Sequence, residues 1–159
     1  MSDLRDDFIE ICEREFKFLV KEFGFKKTKT KTDTDTFRIQ YENSTTTVEA
    51  GVEWREQYFY VVIGRRDRKK TKAKDRMPRP EDELVSFNLE DLLTLRVAGY
   101  IVSSGYFGQK LTRKDVERIM GQYAQTLRKH AADVLQGDFT IFPELEKIVR
   151  KRMKDHAVG

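Results

Sequence analysis

An α+β fold, with an N-terminal helix, a three- to four-stranded antiparallel sheet and C-terminal helices packed on one sheet face, follows from three features of the sequence. Residues 3–23 repeat apolar side chains every three or four positions, residues 37–63 alternate apolar with polar ones, and from residue 112 the helical period returns. Strand-forming and late helical segments are segregated rather than interleaved, which argues against a doubly wound parallel sheet.

The first segment places Leu4, Phe8, Ile11, Cys12, Phe16, Leu19, Val20 and Phe23 on one face of a helix. Ser2 or Asp3 can cap its start, Asp6 and Asp7 suit the positive end of its dipole, and Gly24 supplies a stop. Residues 26–36, KKTKTKTDTDT, read either as an exposed edge strand or as a mobile connection, and they identify no ligand. TFRIQYE then sets Phe37, Ile39 and Tyr41 against Arg38, Gln40 and Glu42, and Asn43 and Ser44 make a turn. TTTVEAGVEW sets Val48, Ala50, Val52 and Trp54 against Glu49, Gly51 and Glu53, so Trp54 ends the second strand; YFYVVIG is apolar on both faces.

Pro78 and Pro80 stop an ordinary ladder or helix, so residues 65–80 form a long basic loop or connector before a strand near Glu83–Phe87. Asn88 is placed as the N-cap of LEDLLTLRV. Residues 98–109 carry three glycines, two serines and three aromatics without a phosphate-loop spacing; they read as a connector, or as a cleft lined by Tyr100, Tyr106 and Phe107. Thr112 and Asp115 can cap one long helix with a stripe from Val116 to Leu135, ended by Gly137. Phe142, Leu145, Ile148, Val149 and Met153 mark a last helix, with residues 155–159 as a flexible tail of a single domain spanning 1–159.

The 159 residues are 38% hydrophobic and 36% charged, enough for one core under a strongly solvated exterior. No apolar run nears the roughly 18 residues of a membrane span, so no membrane partner is expected. Cys12, the sole cysteine, excludes an internal disulfide, suits a reducing, cytoplasmic setting, and reads as a small buried hydrophobe. The net charge of +4 is concentrated: residues 65–76 hold eight basic and two acidic residues, and the rest of the chain 23 basic and 25 acidic.

No cofactor fingerprint and no metal-ligand spacing occurs, so no cofactor and no metal are expected. His130 reads as an exposed or half-buried helix residue, and Ser103 and Ser104 lack a nucleophile motif. Without a catalytic constellation the sequence points away from an enzyme. Glu49 and Glu53 share a strand face, either simply solvated or part of a recognition surface with Arg38 and Arg55. Trp54, Tyr58 and Tyr60 are interface anchors or core rim. Together these five residues, Trp54, Tyr58, Tyr60, Glu49 and Glu53, are the candidates for binding another protein. The alternative partner is nucleic acid, gripped by Arg65, Arg66, Arg68, Lys69, Lys70, Lys72, Lys74 and Arg76; with no aromatic inside the run, that grip would be salt-sensitive and blind to sequence, and the same run reads equally as a dock for an acidic protein or simply as a solvated loop.

FKFLVKEFGF near the start, LEDLLTLR in the middle and LQGDFTIFPELEKIVRKR near the end resemble small uncharacterised bacterial helix–sheet–helix proteins, some of which resemble immunity proteins of toxin systems. The resemblance implies a helix–sheet–helix domain of the bacterial cytoplasm with a role in occluding a toxin, and it transfers no catalytic residue.

Overall fold

A computed structural model describes residues 4–32, 34–66, 84–100 and 111–158. The order is α1 (Leu4–Glu15), α2 (Lys17–Phe23), β1 (Lys26–Thr32), β2 (Thr36–Glu42), β3 (Thr46–Glu53), β4 (Tyr58–Arg65), β5 (Ser86–Asn88), α3 (Leu89–Arg96), α4 (Arg113–His130), α5 (Ala132–Leu135) and α6 (Phe142–Val158). The architecture is α+β: an open antiparallel meander in the order β1-β2-β3-β4-β5, with the helices packed against it. The sheet has five strands because the Lys/Thr segment forms the edge strand β1, and because three residues, Ser86–Asn88, suffice to pair with Val62–Gly64.

Alternate positions of β2, β3 and β4 point to the helices. Phe37, Ile39 and Tyr41 of β2, Val48, Ala50 and Val52 of β3, and Phe59, Val61 and Ile63 of β4 are all buried, against Phe8 and Ile11 of α1, Met120 and Leu127 of α4, and Leu145 of α6. Burying a large apolar side chain contributes about 1.5–3 kcal/mol, so this single layer of contacts is what holds sheet and helices together. Burial along β4 alternates instead of running through both faces, since Tyr58, Tyr60 and Val62 turn away from the core.

Two expected helices are each divided. Phe16, at φ −96° and ψ 13°, interrupts the first between α1 and α2, yet the residue stays fully buried and the apolar stripe continues through the break. Ala131 (φ −121°, ψ 18°) separates α4 from α5, and Arg96 from the last turn of α3 holds the junction. Its Nη1 donates to the His130 carbonyl at 2.7 Å and to Asp133 Oδ1 at 2.6 Å, while Nη2 donates to Asp133 Oδ2 at 2.5 Å. The C-terminal carbonyl of α4 thus finds a cation instead of a continuing helix.

The caps differ in kind. Thr112 and Asp115 form the full reciprocal capping box at the start of α4, as their spacing predicts. Asn88 occupies the N-cap position of α3, but its side chain makes no cap bond. At the far end, α6 continues to Val158, through the segment assigned to a tail on sequence grounds.

Asn43 ties the two layers. Its Oδ1 accepts from the backbone N–H groups of Thr45 (3.0 Å) and Thr46 (2.8 Å), closing the β2–β3 turn. Its Nδ2 donates to the carbonyls of Phe23 and Leu135, each at 3.1 Å, which end α2 and α5. The fully buried Thr46 adds a hydroxyl bond to the Val134 carbonyl at 3.0 Å.

Candidate site on the open sheet face

Because the helices gather on one side, no helix among the described residues covers the other side of the sheet. Register aligns its side chains in cross-strand rows: Lys31, Arg38, Gly51 and Tyr60 in one, Lys29, Gln40, Glu49, Val62 and Asn88 in the next, and Lys26, Glu42, Thr47, Gly64 and Ser86 in a third. Glu53 pairs with Tyr58 at the remaining end. The face is therefore basic along β1 and the middle of β2, acidic along β3, and aromatic along β4.

Gly51 shapes the aromatic part. A Cβ at this position would lie 2.4 Å from both Cζ and Oη of Tyr60, so the ring lies flat over β3 in the space that only glycine leaves. The Tyr60 hydroxyl donates to Glu49 Oε2 at 3.4 Å. Tyr58 stacks beside it, with ring centroids 6.1 Å apart and planes 24° from parallel. Burial, and then the Glu49 charge, push the Tyr60 phenol above its ordinary value, against a smaller opposing effect of Arg38. Burial likewise raises Tyr58, with Glu90 and Asp91 acting in the same direction. Both hydroxyls stay protonated at neutral pH, that of Tyr60 donating to Glu49, and both rings offer a flat apolar surface with a polar end, the combination typical of interface anchors.

The structure brings Tyr58, Tyr60, Glu49 and Glu53 together on this face. Trp54 lies elsewhere: it follows β3 in the turn to β4, its N–H donating to the Asp35 carbonyl at 2.6 Å, and its half-buried ring stacks on Phe37 at 5.7 Å on the core side. Arg38 sits on the open face and Arg55 in the exposed turn. Of the basic run, Arg66 donates to the Asn43 carbonyl at 3.1 Å and lies 3.6 Å from Glu42, which fastens the end of β4 to the β2–β3 turn. Arg65 is half-buried beside Leu84, Phe142 and Glu146. Arg68, Lys69, Lys70, Lys72, Lys74 and Arg76 lie outside the described residues, as do Ser103, Ser104, Tyr106 and Phe107.

Beside the open face, a cleft lined by Tyr58, Tyr60, Asn88, Glu90 and Tyr123 holds about 10 Å³, room for a single water molecule. Tyr123 donates to the Phe59 carbonyl at 3.3 Å there. A cavity of about 130 Å³ between β4 and α6 is lined by Arg65, Leu84, Phe139, Phe142, Pro143 and Glu146. Both are below the ~300–1,000 Å³ of ordinary small-molecule sites. Among the described residues, no cluster of three or more His, Cys, Asp or Glu is arranged to hold a metal ion, and no helix is long and apolar enough to cross a membrane. His130 is a half-buried helix residue, and Cys12 is fully buried, its thiol raised first by that burial.

Sequence reasoning passes over Gly51 and the β1 lysines. A glycine inside an alternating strand signals a close approach, and that signal is present in VEAGVEW; the ring that fills the space comes from another strand. Comparison with family models, curated proteins and solved structures gives no match to this chain.

Proposed function

We propose that this protein is a noncatalytic binding protein, an inhibitor or adaptor of the immunity type, that presents its open sheet face to another protein. One observation carries the reading: the stacked Tyr58–Tyr60 pair, with Tyr60 seated over Gly51 and with Glu49 and Glu53 beside it, lies on the sheet face that the described helices leave uncovered. Rigid aromatic groups fixed by a neighbouring carboxylate lose little freedom on binding, which suits them to anchor an interface. The charges around them set orientation and partner choice more than affinity.

A photo-crosslinking amino acid at Thr47 or Gln40 on the open face, compared with one at the exposed Gln125 of α4, tests the proposal in the native cell. A discrete protein adduct from the sheet positions and none from α4 is the expected result. Equal labelling from both surfaces, or adducts from neither, would overturn it.

A further inference from the structure

β1 is hydrogen-bonded on one flank only: β2 pairs with it, and no other strand among the described residues does. All seven of its residues are exposed, on the helix side as well as the open side. The strand Lys26–Thr32 consists of four lysines and three threonines, with no acidic residue. Register puts Lys26, Lys29 and Lys31 on the open face, while Lys27 and Thr30 point to the helix side across a bulge between Lys27 and Lys29.

An exposed strand edge is a template for another strand, and edge lysines are the common device that blocks indiscriminate pairing. A second copy of β1 laid antiparallel here would bring lysine against lysine, and like charges directly opposite are destabilising. An acidic strand meets the reverse situation. Its side chains recur on one face every two residues, about 6.6–6.8 Å, the same interval that separates Lys29 from Lys31. A carboxylate already meets a β1 lysine on the helix side, where Glu13 of α1 accepts from Lys27 Nζ at 2.7 Å.

Resting on the reading of the sheet as a protein-recognition surface, we infer that β1 is a docking edge for an extended acidic segment of a partner protein, which adds as a further strand with its carboxylates over Lys29 and Lys31. Main-chain bonds would supply affinity, and the lysines would select against neutral and basic strands. A nucleic acid fits the same lysines less well. A phosphodiester chain has no N–H groups to give the edge carbonyls, and bases reaching inward from β1 would lie over Glu42 and Glu49.

The test is fluorescence anisotropy with a labelled peptide of alternating Glu and Val, the same peptide N-methylated at its Val residues, an alternating Lys/Val peptide and a single-stranded oligothymidylate. Expected is binding of the first peptide, weakened about tenfold or more by N-methylation and to a similar degree by Lys29→Glu with Lys31→Glu. The Lys/Val peptide should bind only the doubly reversed variant. The variant should still melt in one cooperative transition, since both positions are exposed. No binding of the Glu/Val peptide, equal binding of its methylated form, or lysine-dependent binding of the oligonucleotide alone would each overturn the inference. Crosslinking from Thr47 reads the open face independently, so an adduct there without peptide binding would sink the docking edge and leave the broader function standing.

Discussion

Gly51 and Tyr60 occupy paired positions on β3 and β4, and the absence of a Cβ on one is what lets the other lie across the sheet. In Gly51→Ala the new methyl meets the far end of a rotatable side chain, so the strand is kept and the ring swings away from Glu49. The phenol then titrates closer to its ordinary value of 10.0, which spectrophotometric titration of the tyrosines reads directly; an unchanged titration would show that the ring had not moved. Asn43→Asp makes a complementary case. It keeps the acceptor for Thr45 and Thr46 but removes both donors, leaving the Phe23 and Leu135 carbonyls facing a carboxylate. Urea unfolding should show a loss of about 1–3 kcal/mol. From the sequence Asn43 is legible only as a turn residue, because its two other partners are contributed by distant helix ends.

Among elements, the divided helices show where periodicity ceases to be informative. The apolar stripe persists through Phe16, so its period is the same whether one helix or two carries it. The stop at Gly24 is different, since its φ of 70° demands a left-handed residue, while a Cβ added there would meet nothing within 4 Å. Gly24→Ala should therefore cost about 1 kcal/mol from backbone conformation alone, visible as a lower urea midpoint with an unaltered slope. The α4–α5 junction depends on Arg96, whose hydrogen bond holds the Asp133 carboxyl below its ordinary value of 3.8. A depressed carboxyl stabilises the fold above its unfolded value and loses that contribution as pH falls through the folded one. Stability of the wild type should decline on acidification below about pH 4, and Arg96→Met should flatten that part of the profile, with a modest loss at neutral pH because the pair is partly exposed.

For the whole molecule, burial raises the phenols of Tyr41, Tyr60 and Tyr123 together. A group raised on folding contributes stability that is fully present below its unfolded value, here about 10, and that disappears as pH rises beyond it. Melting temperature should therefore fall steeply between about pH 10 and about pH 11, and Tyr60→Phe should soften the fall; a flat profile would contradict the burial of these rings. The sequence by itself determined the α+β class, the segregation of sheet and helices, and which side chains of β2 and β3 face the core, because alternation and helical period are local consequences of backbone geometry. Only the tertiary structure decided which residues meet across strands. Register depends on turns and on the pairing of segments far apart in the chain, and it is register that lays Tyr60 over Gly51, sets Glu49 beneath its hydroxyl, turns Trp54 to the core side, and ranges Lys29 and Lys31 along the edge.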